Sequence, residues 1–142
     1  MKKIKLLILF SLLFVLLMDY YPVNDINEEV IEYVKEFESF CPKKFKSKII
    51  RLEYLNDDDL LGYCIIKLFN PWKYKIILNK KYWLKATYYE KKLLIFHELS
   101  HAIGQEHVLD KNHYMYPNAN YIRPSLFYEQ VAEVTKKYCY EH

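Results

Sequence analysis

The sequence predicts a single domain of the α+β class, in which a small mixed β-sheet combines with an N-terminal helix, a central helix and a C-terminal helix. Three observations predict this class. Apolar residues recur at helical spacing before residue 42, three short runs rich in β-branched and aromatic residues follow, and helical patterns return after residue 87. Residues 19–142 suffice for one compact domain and not for two, and no internal repeat or Gly/Ser linker divides them.

The N-terminal helix is predicted to begin at a cap formed by Asn24 or Asp25 and to end before Pro42. Its buried face comprises five residues at helical spacing, namely Ile26, Val30, Val34, Phe37 and Cys41. The C-terminal helix is predicted over residues 125–139.

Three strands are predicted between these helices, over residues 48–55, 62–69 and 74–79. An acidic turn at residues 56–59 separates the first two strands, and Asn70 and Pro71 separate the last two. The two tryptophans, Trp72 and Trp83, are expected in the core that the sheet forms with the helices.

The central helix, predicted from residue 88 or 89 to residue 103, contains the start of the motif HELSHAIGQEH at residues 97–107. His97 and His101 are four residues apart, so both imidazoles can reach one metal ion from the same face of the helix. Glu98 lies beside the first histidine and can accept a proton from a metal-bound water without being a ligand. This arrangement is typical of a hydrolytic zinc site.

The third histidine of the motif, His107, cannot project from the same helix face, because six residues turn it about 240° away from His101. The helix must therefore end between them, and Gly104 lies where that break is expected. Glycine adopts the left-handed conformation that closes a helix at no steric cost, and the chain has only 2 glycines. Three histidines leave one position of a tetrahedral zinc open, which is typical of catalytic rather than structural zinc.

The extended motif HExxHxxGxxH, followed by Met115 in the segment KNHYMYP, resembles the signature of the metzincin zinc metallopeptidases. Met115, Tyr116 and Pro117 resemble the Met-Tyr-Pro of the matrix metalloproteinase branch. The resemblance extends over residues 60–139 and implies a small metzincin-like (zincin) domain, with the methionine in a tight turn beneath the histidines. Ala119 departs from that branch, which usually has a pocket tyrosine there. The calcium-binding loops, structural-zinc loops and latency segment of that branch have no counterpart.

Together, the motif and the resemblance imply an endopeptidase that hydrolyses peptide bonds of protein or peptide substrates with one catalytic Zn²⁺. His97, His101 and His107 would bind the metal, and Glu98 would activate its water. The resemblance also implies that the strand over residues 74–79 forms an edge along which an extended substrate lies antiparallel.

Two alternatives to this interpretation stay open. A catalytically inactive zinc-binding or interaction module would keep the fold without hydrolysis, although the presence of Glu98 argues against it. A gluzincin-type site would replace His107 by a downstream glutamate, either Glu129 or Glu133. Met115 and the spacing of the motif favour the metzincin arrangement.

Residues 1–18 have the features of an export signal. Three lysines precede an apolar run over residues 6–18, which is too short for a comfortable transmembrane helix of about 20 residues. Leu17, Met18 and Asp19 make a poor cleavage site, so both a cleaved signal peptide and a signal anchor within residues 4–18 are considered. The metallopeptidase-like domain, residues 19–142, is expected to be secreted, periplasmic, or membrane-anchored and facing away from the cytoplasm.

The formal charge of +3 comes from this leader. Of the 21 lysines and arginines, Lys2, Lys3 and Lys5 precede residue 19, which leaves 18 against the 18 aspartates and glutamates of residues 19–142. A domain without net charge gives no support for nucleic acid as a partner. The domain is expected to be a monomer.

The 3 cysteines, Cys41, Cys64 and Cys139, allow one internal disulfide with three pairings. Cys41 and Cys139 each lie at the end of a predicted helix, and their bond would close the longest loop, so this pair is favoured. A Cys41 thiol that caps the metal is a less favoured alternative, because the surrounding latency pattern is missing.

Overall fold

A computed structural model describes residues 23–42, 45–67, 70–118 and 121–140 of the chain. These ranges form the predicted α+β fold, in which a four-stranded mixed sheet packs against helices. No helix within them is long and apolar enough to cross a membrane. The leader at residues 1–18 and Ala119 lie outside the described residues, and so does the side chain of Trp72.

The N-terminal helix begins later than the sequence predicts. Residues Asn24–Ile26 form a short strand, β1, a 3₁₀ turn follows at Glu28–Val30, and helix α1 covers Ile31–Phe40. The side chain of Asn27 caps the 3₁₀ turn by accepting a hydrogen bond from the Glu29 amide at 3.0 Å. The predicted cap at Asn24 or Asp25 is therefore wrong. Ile26 and Val30 are four residues apart whether or not the helix continues between them, so spacing alone could not separate the strand from the helix.

The sheet has the order β1-β2-β4-β3, with β2 at Ser47–Glu53, β3 at Gly62–Lys67 and β4 at Asn70–Asn79. Strands β1, β2 and β4 are parallel to one another, and β3 is antiparallel to β4. The prediction that the strand over residues 74–79 forms the edge is wrong, because β4 lies between β2 and β3. Only two residues connect β3 to β4, which favours a hairpin, and β2 occupies the other side of β4. Strand β3 is therefore an edge strand, on the side of β4 that faces away from β2.

Three further helices follow the sheet: a single turn, α2, at Lys80–Trp83, the long helix α3 at Tyr88–Ala102, and α4 at Pro124–Thr135. A π-helical turn at Lys136–Tyr140 ends the described chain. Helix α3 starts with a reciprocal capping box between Thr87 and Glu90. Helix α3 packs on the sheet and against α1 and α4, and the core includes Phe37, Ile76, Trp83, Phe96, Phe127 and Val131. The expectation that Trp83 is a core residue is confirmed.

Cys41 and Cys139 form a disulfide, with their Cα atoms 5.5 Å apart, and the favoured pairing is confirmed. The bond joins the end of α1 to the π-helical turn, across a sequence separation of 98 residues. Cys64 is free and half-buried. Because Cys41 is bonded, it has no thiol with which to cap a metal ion.

A buried ammonium group fixes helix α3 between its neighbours. Lys92 is only 7% exposed, and its Nζ donates to Glu36 Oε1 on α1 at 2.8 Å and to the Tyr128 hydroxyl on α4 at 2.9 Å. The Tyr128 hydroxyl in turn donates to Glu36 Oε1 at 2.8 Å. Burial opposes the charge of Lys92, but these hydrogen bonds outweigh it and raise the pKa of Lys92 above its ordinary value. The helix that contains the first two motif histidines is thus tied to both flanking helices.

Candidate metal centre

The last turns of α3 bring His97 and His101 onto the same face of the helix. Their Nε2 atoms are 3.2 Å apart, and both rings are half-buried. Between them on the helix, Ser100 is fully buried and donates from its hydroxyl to the Phe96 carbonyl at 2.7 Å. The (i, i+4) spacing predicted from the sequence therefore produces the expected pair of neighbouring imidazoles.

Helix α3 ends where the sequence predicts, at a left-handed Gly104 with a φ of 107°. The Gly104 amide donates to the His101 carbonyl, and the Gln105 amide donates to the Ser100 carbonyl, each at 3.0 Å. These two bonds make a Schellman motif, which satisfies the free carbonyls at the helix end. The reversed chain then places His107 beside the helix, with its Nε2 3.2 Å from that of His101.

The three Nε2 atoms form a nearly equilateral triangle, because the third distance, between His97 and His107, is also 3.2 Å. Ligands of a tetrahedral zinc at about 2.0–2.1 Å are separated by about 3.3 to 3.4 Å. The triangle therefore fits a metal ion held by three histidines with a further position open. Among the described residues, the candidate cluster consists of His97, His101 and His107, and Glu129 and Glu133 are not part of it.

Hydrogen bonds on the opposite ring atoms orient two of these histidines. The Nδ1–H of His97 donates to the Tyr114 carbonyl at 2.9 Å, and that of His101 donates to the Gln105 carbonyl at 2.7 Å. A proton on Nδ1 leaves the Nε2 lone pair free for a metal. Burial lowers the pKa of His97 to about 4, and burial also lowers that of His101. Both rings are therefore neutral at neutral pH, which is the form that can bind a metal ion.

The segment with Met115 is joined to this site through backbone groups. Met115 is fully buried, its amide donates to His113 Nδ1 at 3.0 Å, and its carbonyl accepts from the Val108 amide at 2.9 Å. The preceding residue, Tyr114, supplies the carbonyl that orients His97 and shares a hydrogen bond of 2.8 Å between its hydroxyl and that of Ser100. The turn is thus joined to helix α3 by side chain and backbone.

Gln130 supports the candidate site, although the sequence did not predict it as a site residue. This side chain on α4 is 8% exposed, accepts from the Tyr114 amide at 3.1 Å and donates to the Asn112 carbonyl at 2.9 Å. It therefore holds the residue whose carbonyl orients His97. Its signal was present in the sequence, since Gln130 is a polar residue three positions after the buried Phe127, on the apolar face of the helix.

Replacing Gln130 with alanine should lower the affinity of the chain for Zn²⁺ by about 10- to 100-fold, the usual effect of losing an outer partner of a metal ligand. The substitution leaves the buried Tyr114 amide without its acceptor and frees the turn that orients His97. Competition with a chromogenic chelator measures the affinity, and Glu129→Ala, an exposed neighbour on the same helix, is the control. Equal affinities of the two variants would show that the turn needs no support from α4.

The carboxyl group of Glu98 is buried beside the histidines. Glu98 is 4% exposed, and its Oε2 has no hydrogen-bond partner among the described residues. Burial raises the pKa of Glu98 to about 8. An acid group with such a pKa can both accept and return a proton near neutral pH.

The three histidines and Glu98 open onto a cleft of about 1040 Å³, which runs between the helix and the edge strand β3. The start of β3 and the acidic loop before it line the cleft together with the helix. The segment from His113 to Asn118 also contributes to the lining. Besides Glu98, the described lining includes four acidic residues and no lysine or arginine; the acidic residues are Asp58, Asp59, Glu90 and Glu106. An extended chain segment can enter such an open cleft.

No model of a protein family, no curated protein and no solved structure matches this chain. The resemblance to metallopeptidases that the sequence predicts therefore depends most on the motif residues 97–107 and on Met115, Tyr116 and Pro117. The geometry around these residues, with three converging nitrogens and a buried carboxyl group at an open cleft, is independent of that resemblance.

Proposed function

We propose that this chain is a zinc-dependent endopeptidase of the metzincin type, exported from the cytoplasm or anchored to its membrane. One observation supports this proposal above the others: the Nε2 atoms of His97, His101 and His107 converge at 3.2 Å, and the adjacent residue Glu98 has a buried oxygen, Oε2, without a hydrogen-bond partner among the described residues. A structural zinc would need a fourth protein ligand and no neighbouring base. An open position beside a buried acid suits hydrolysis.

In the proposed reaction the histidines act as neutral ligands and Glu98 acts as the general base. Zinc, when bound, would polarise the scissile carbonyl and make water acidic enough to lose a proton near neutral pH. Glu98 accepts that proton as the water attacks the peptide carbon and later gives a proton to the leaving amine. The Nδ1 hydrogen bonds of His97 and His101 hold both rings in the required tautomer throughout.

Strand β3 is the proposed platform for the substrate. It is an edge strand next to the cleft, and an extended peptide could add to it through backbone hydrogen bonds, which do not depend on the bound sequence. The acidic lining and the absence of basic residues among the described lining favour peptides with lysine or arginine near the scissile bond. Asp58 contributes less, because Lys81 pairs with it at 2.7 Å.

The metal assignment predicts that the purified chain binds one zinc ion and that His107→Ala lowers the bound zinc to a small fraction of that amount. Glu129→Ala and Glu133→Ala should retain the full amount, since neither residue belongs to the histidine cluster. Elemental analysis after gel filtration measures the zinc content. Loss of zinc in a glutamate variant, with retention in His107→Ala, would support the gluzincin alternative instead.

The activity is tested by incubating the zinc-loaded chain with a diverse peptide library and identifying the cleaved bonds by mass spectrometry. Cleavage should stop when a chelator removes the metal. Basic residues should be enriched near the cleaved bonds, and the enrichment should weaken as ionic strength rises. A chain that binds zinc stoichiometrically and cleaves no member of the library would instead be the inactive zinc-binding module.

A further inference from the structure

Gly62, the first residue of β3, lies directly against the carboxyl group of Glu98. A methyl group on Gly62 would lie 3.1 Å from Glu98 Oε1, 3.2 Å from the Ile77 carbonyl oxygen and 3.2 Å from Leu78 Cδ2. Ordinary contacts of such a carbon begin at about 3.4 Å. The space that any side chain at this position would need is therefore already filled.

Backbone conformation does not explain this glycine. Among the described residues, Gly104 has a left-handed φ, and Gly62 does not. Alanine could therefore adopt the backbone angles of Gly62 without strain. Gly62 is paired with Leu78 in the regular antiparallel register of β3 and β4. What glycine provides here is the missing side chain.

Of the three atoms that a methyl group would meet, the Glu98 oxygen is the one that can move. The Ile77 carbonyl belongs to β4, which is held between two strands in the middle of the sheet. Leu78 is fully buried in the core. The Glu98 oxygen is the far end of a flexible side chain at an open cleft, so a methyl group would displace the carboxyl group first.

We infer that Gly62 is a positioning residue for the general base: its missing side chain is the space in which the Glu98 carboxyl group sits. This inference rests on the proposed function, in which Glu98 moves the proton. The two glycines of the chain then serve one site in different ways. Gly104 turns the chain so that His107 reaches the metal, and Gly62 leaves room for the base.

Gly62→Ala is expected to lower kcat by about 10-fold, because a shift of the base by a fraction of an ångström already impairs proton transfer, and Gly62→Val should lower it by about 100-fold. KM and zinc content should remain within about twofold of the parent, because the atoms nearest the added methyl group belong to Glu98 and β4 and not to the histidines or to the free edge of β3. Gly104→Ala is the contrasting variant. Its methyl group would meet only Tyr138 carbons at 3.6 Å, but its φ of 107° is strained for alanine, so it should lower zinc affinity.

A double-mutant cycle with Glu98→Ala separates a role through Glu98 from general crowding of the sheet. Urea denaturation of all four metal-free proteins gives their stabilities. Gly62→Ala should destabilise the parent more than it destabilises Glu98→Ala, in which the carboxyl group is gone. If Gly62→Ala prevents folding in the parent but not in Glu98→Ala, the inference is supported. Failure of Gly62→Ala to fold in both backgrounds would show that its methyl group clashes with β4, and this result would overturn the inference.

The kinetic result distinguishes this inference from the proposed function. An active parent whose Gly62→Ala variant keeps its kcat would overturn the role of Gly62 and leave the peptidase proposal standing. A parent that binds zinc and cleaves no peptide would overturn both. A lower kcat with unchanged KM and zinc content, together with the coupling in stability, supports the role of Gly62.

Discussion

Replacing Glu98 with glutamine should lower kcat/KM by between about 10² and 10⁴-fold while the chain still binds one zinc ion. Glutamine has nearly the same shape as glutamate, so it fits the space beside Gly62 and leaves the three histidines in place. It cannot accept a proton from water. Steady-state kinetics on a peptide identified from the library measures the effect, and elemental analysis confirms that the metal is retained.

Glu129→Gln is the matched control, because it makes the same chemical change at an exposed position on α4. Its activity should equal that of the parent. A Glu98→Gln variant as active as the parent would show that another group moves the proton. If Glu98→Gln also lost its zinc, its low activity would not identify the base. In that case Glu98→Asp, which keeps a carboxyl group, should be more active than Glu98→Gln if Glu98 is the base.

The pH dependence of stability provides a check on Glu98 that needs no activity. Burial raises its pKa from an ordinary 4.5 to about 8, so the folded metal-free chain holds a proton that the unfolded chain releases between these values. The contribution of Glu98 to stability is therefore fully present below about pH 4.5 and is lost as pH rises towards 8. Urea denaturation should show parent stability falling relative to Glu98→Gln across this window. Contributions of the histidines cancel in that comparison.

Loss of the disulfide should have the largest effect on stability. Replacing Cys41 and Cys139 together with serine should lower the free energy of unfolding by about 4 to 5 kcal/mol, because the bond closes a loop of 98 residues and restricts the unfolded chain. For a domain of this size, that loss is comparable with the whole net stability. Urea denaturation of the double variant measures it, and a reductant added to the parent should have the same effect.

Cys64→Ser is the control for this experiment, since Cys64 is free and half-buried. It should change the stability by less than about 1 kcal/mol. If the double serine variant were as stable as the control, the helical packing around α1 and α4 would hold the end of α1 next to the π-helical turn without the bond.

A strongly stabilising disulfide supports the proposed export, because such bonds persist in oxidising compartments.

The local part of the site followed from the sequence. The spacing of His97 and His101, the break at Gly104 and the bounds of α3 depend on contacts within a few residues, and periodicity reports such contacts. The disulfide could also be predicted from the sequence, since the positions of the helix ends and the loop length favoured one of the three pairings. The short strand at Asn24–Ile26 was missed because its pairing partner, β2, lies more than twenty residues away.

The supporting part of the site depends on contacts that spacing does not encode. Strand order determined that β3 and not β4 forms the edge, and strand order is a property of the whole sheet. Gln130 reaches Tyr114 from another helix, and Gly62 meets Glu98 across the sheet-helix interface. A polar residue on an apolar helix face and a glycine inside a strand were the available signals, but neither signal identifies its partner.

The helix cap at Gly104 has a consequence for the order in which the chain assembles. The three histidines are at most 10 residues apart, so gathering them requires the closure of only a very short loop, with a small loss of chain entropy. Helix α3 and its Schellman turn can form this triangle before Cys41 and Cys139 meet at the disulfide. A nascent chain could therefore capture its metal early, and each bound ion would favour the folded over the unfolded chain by mass action. Under the proposed function, zinc would then act as a folding ligand before it acts as a cofactor.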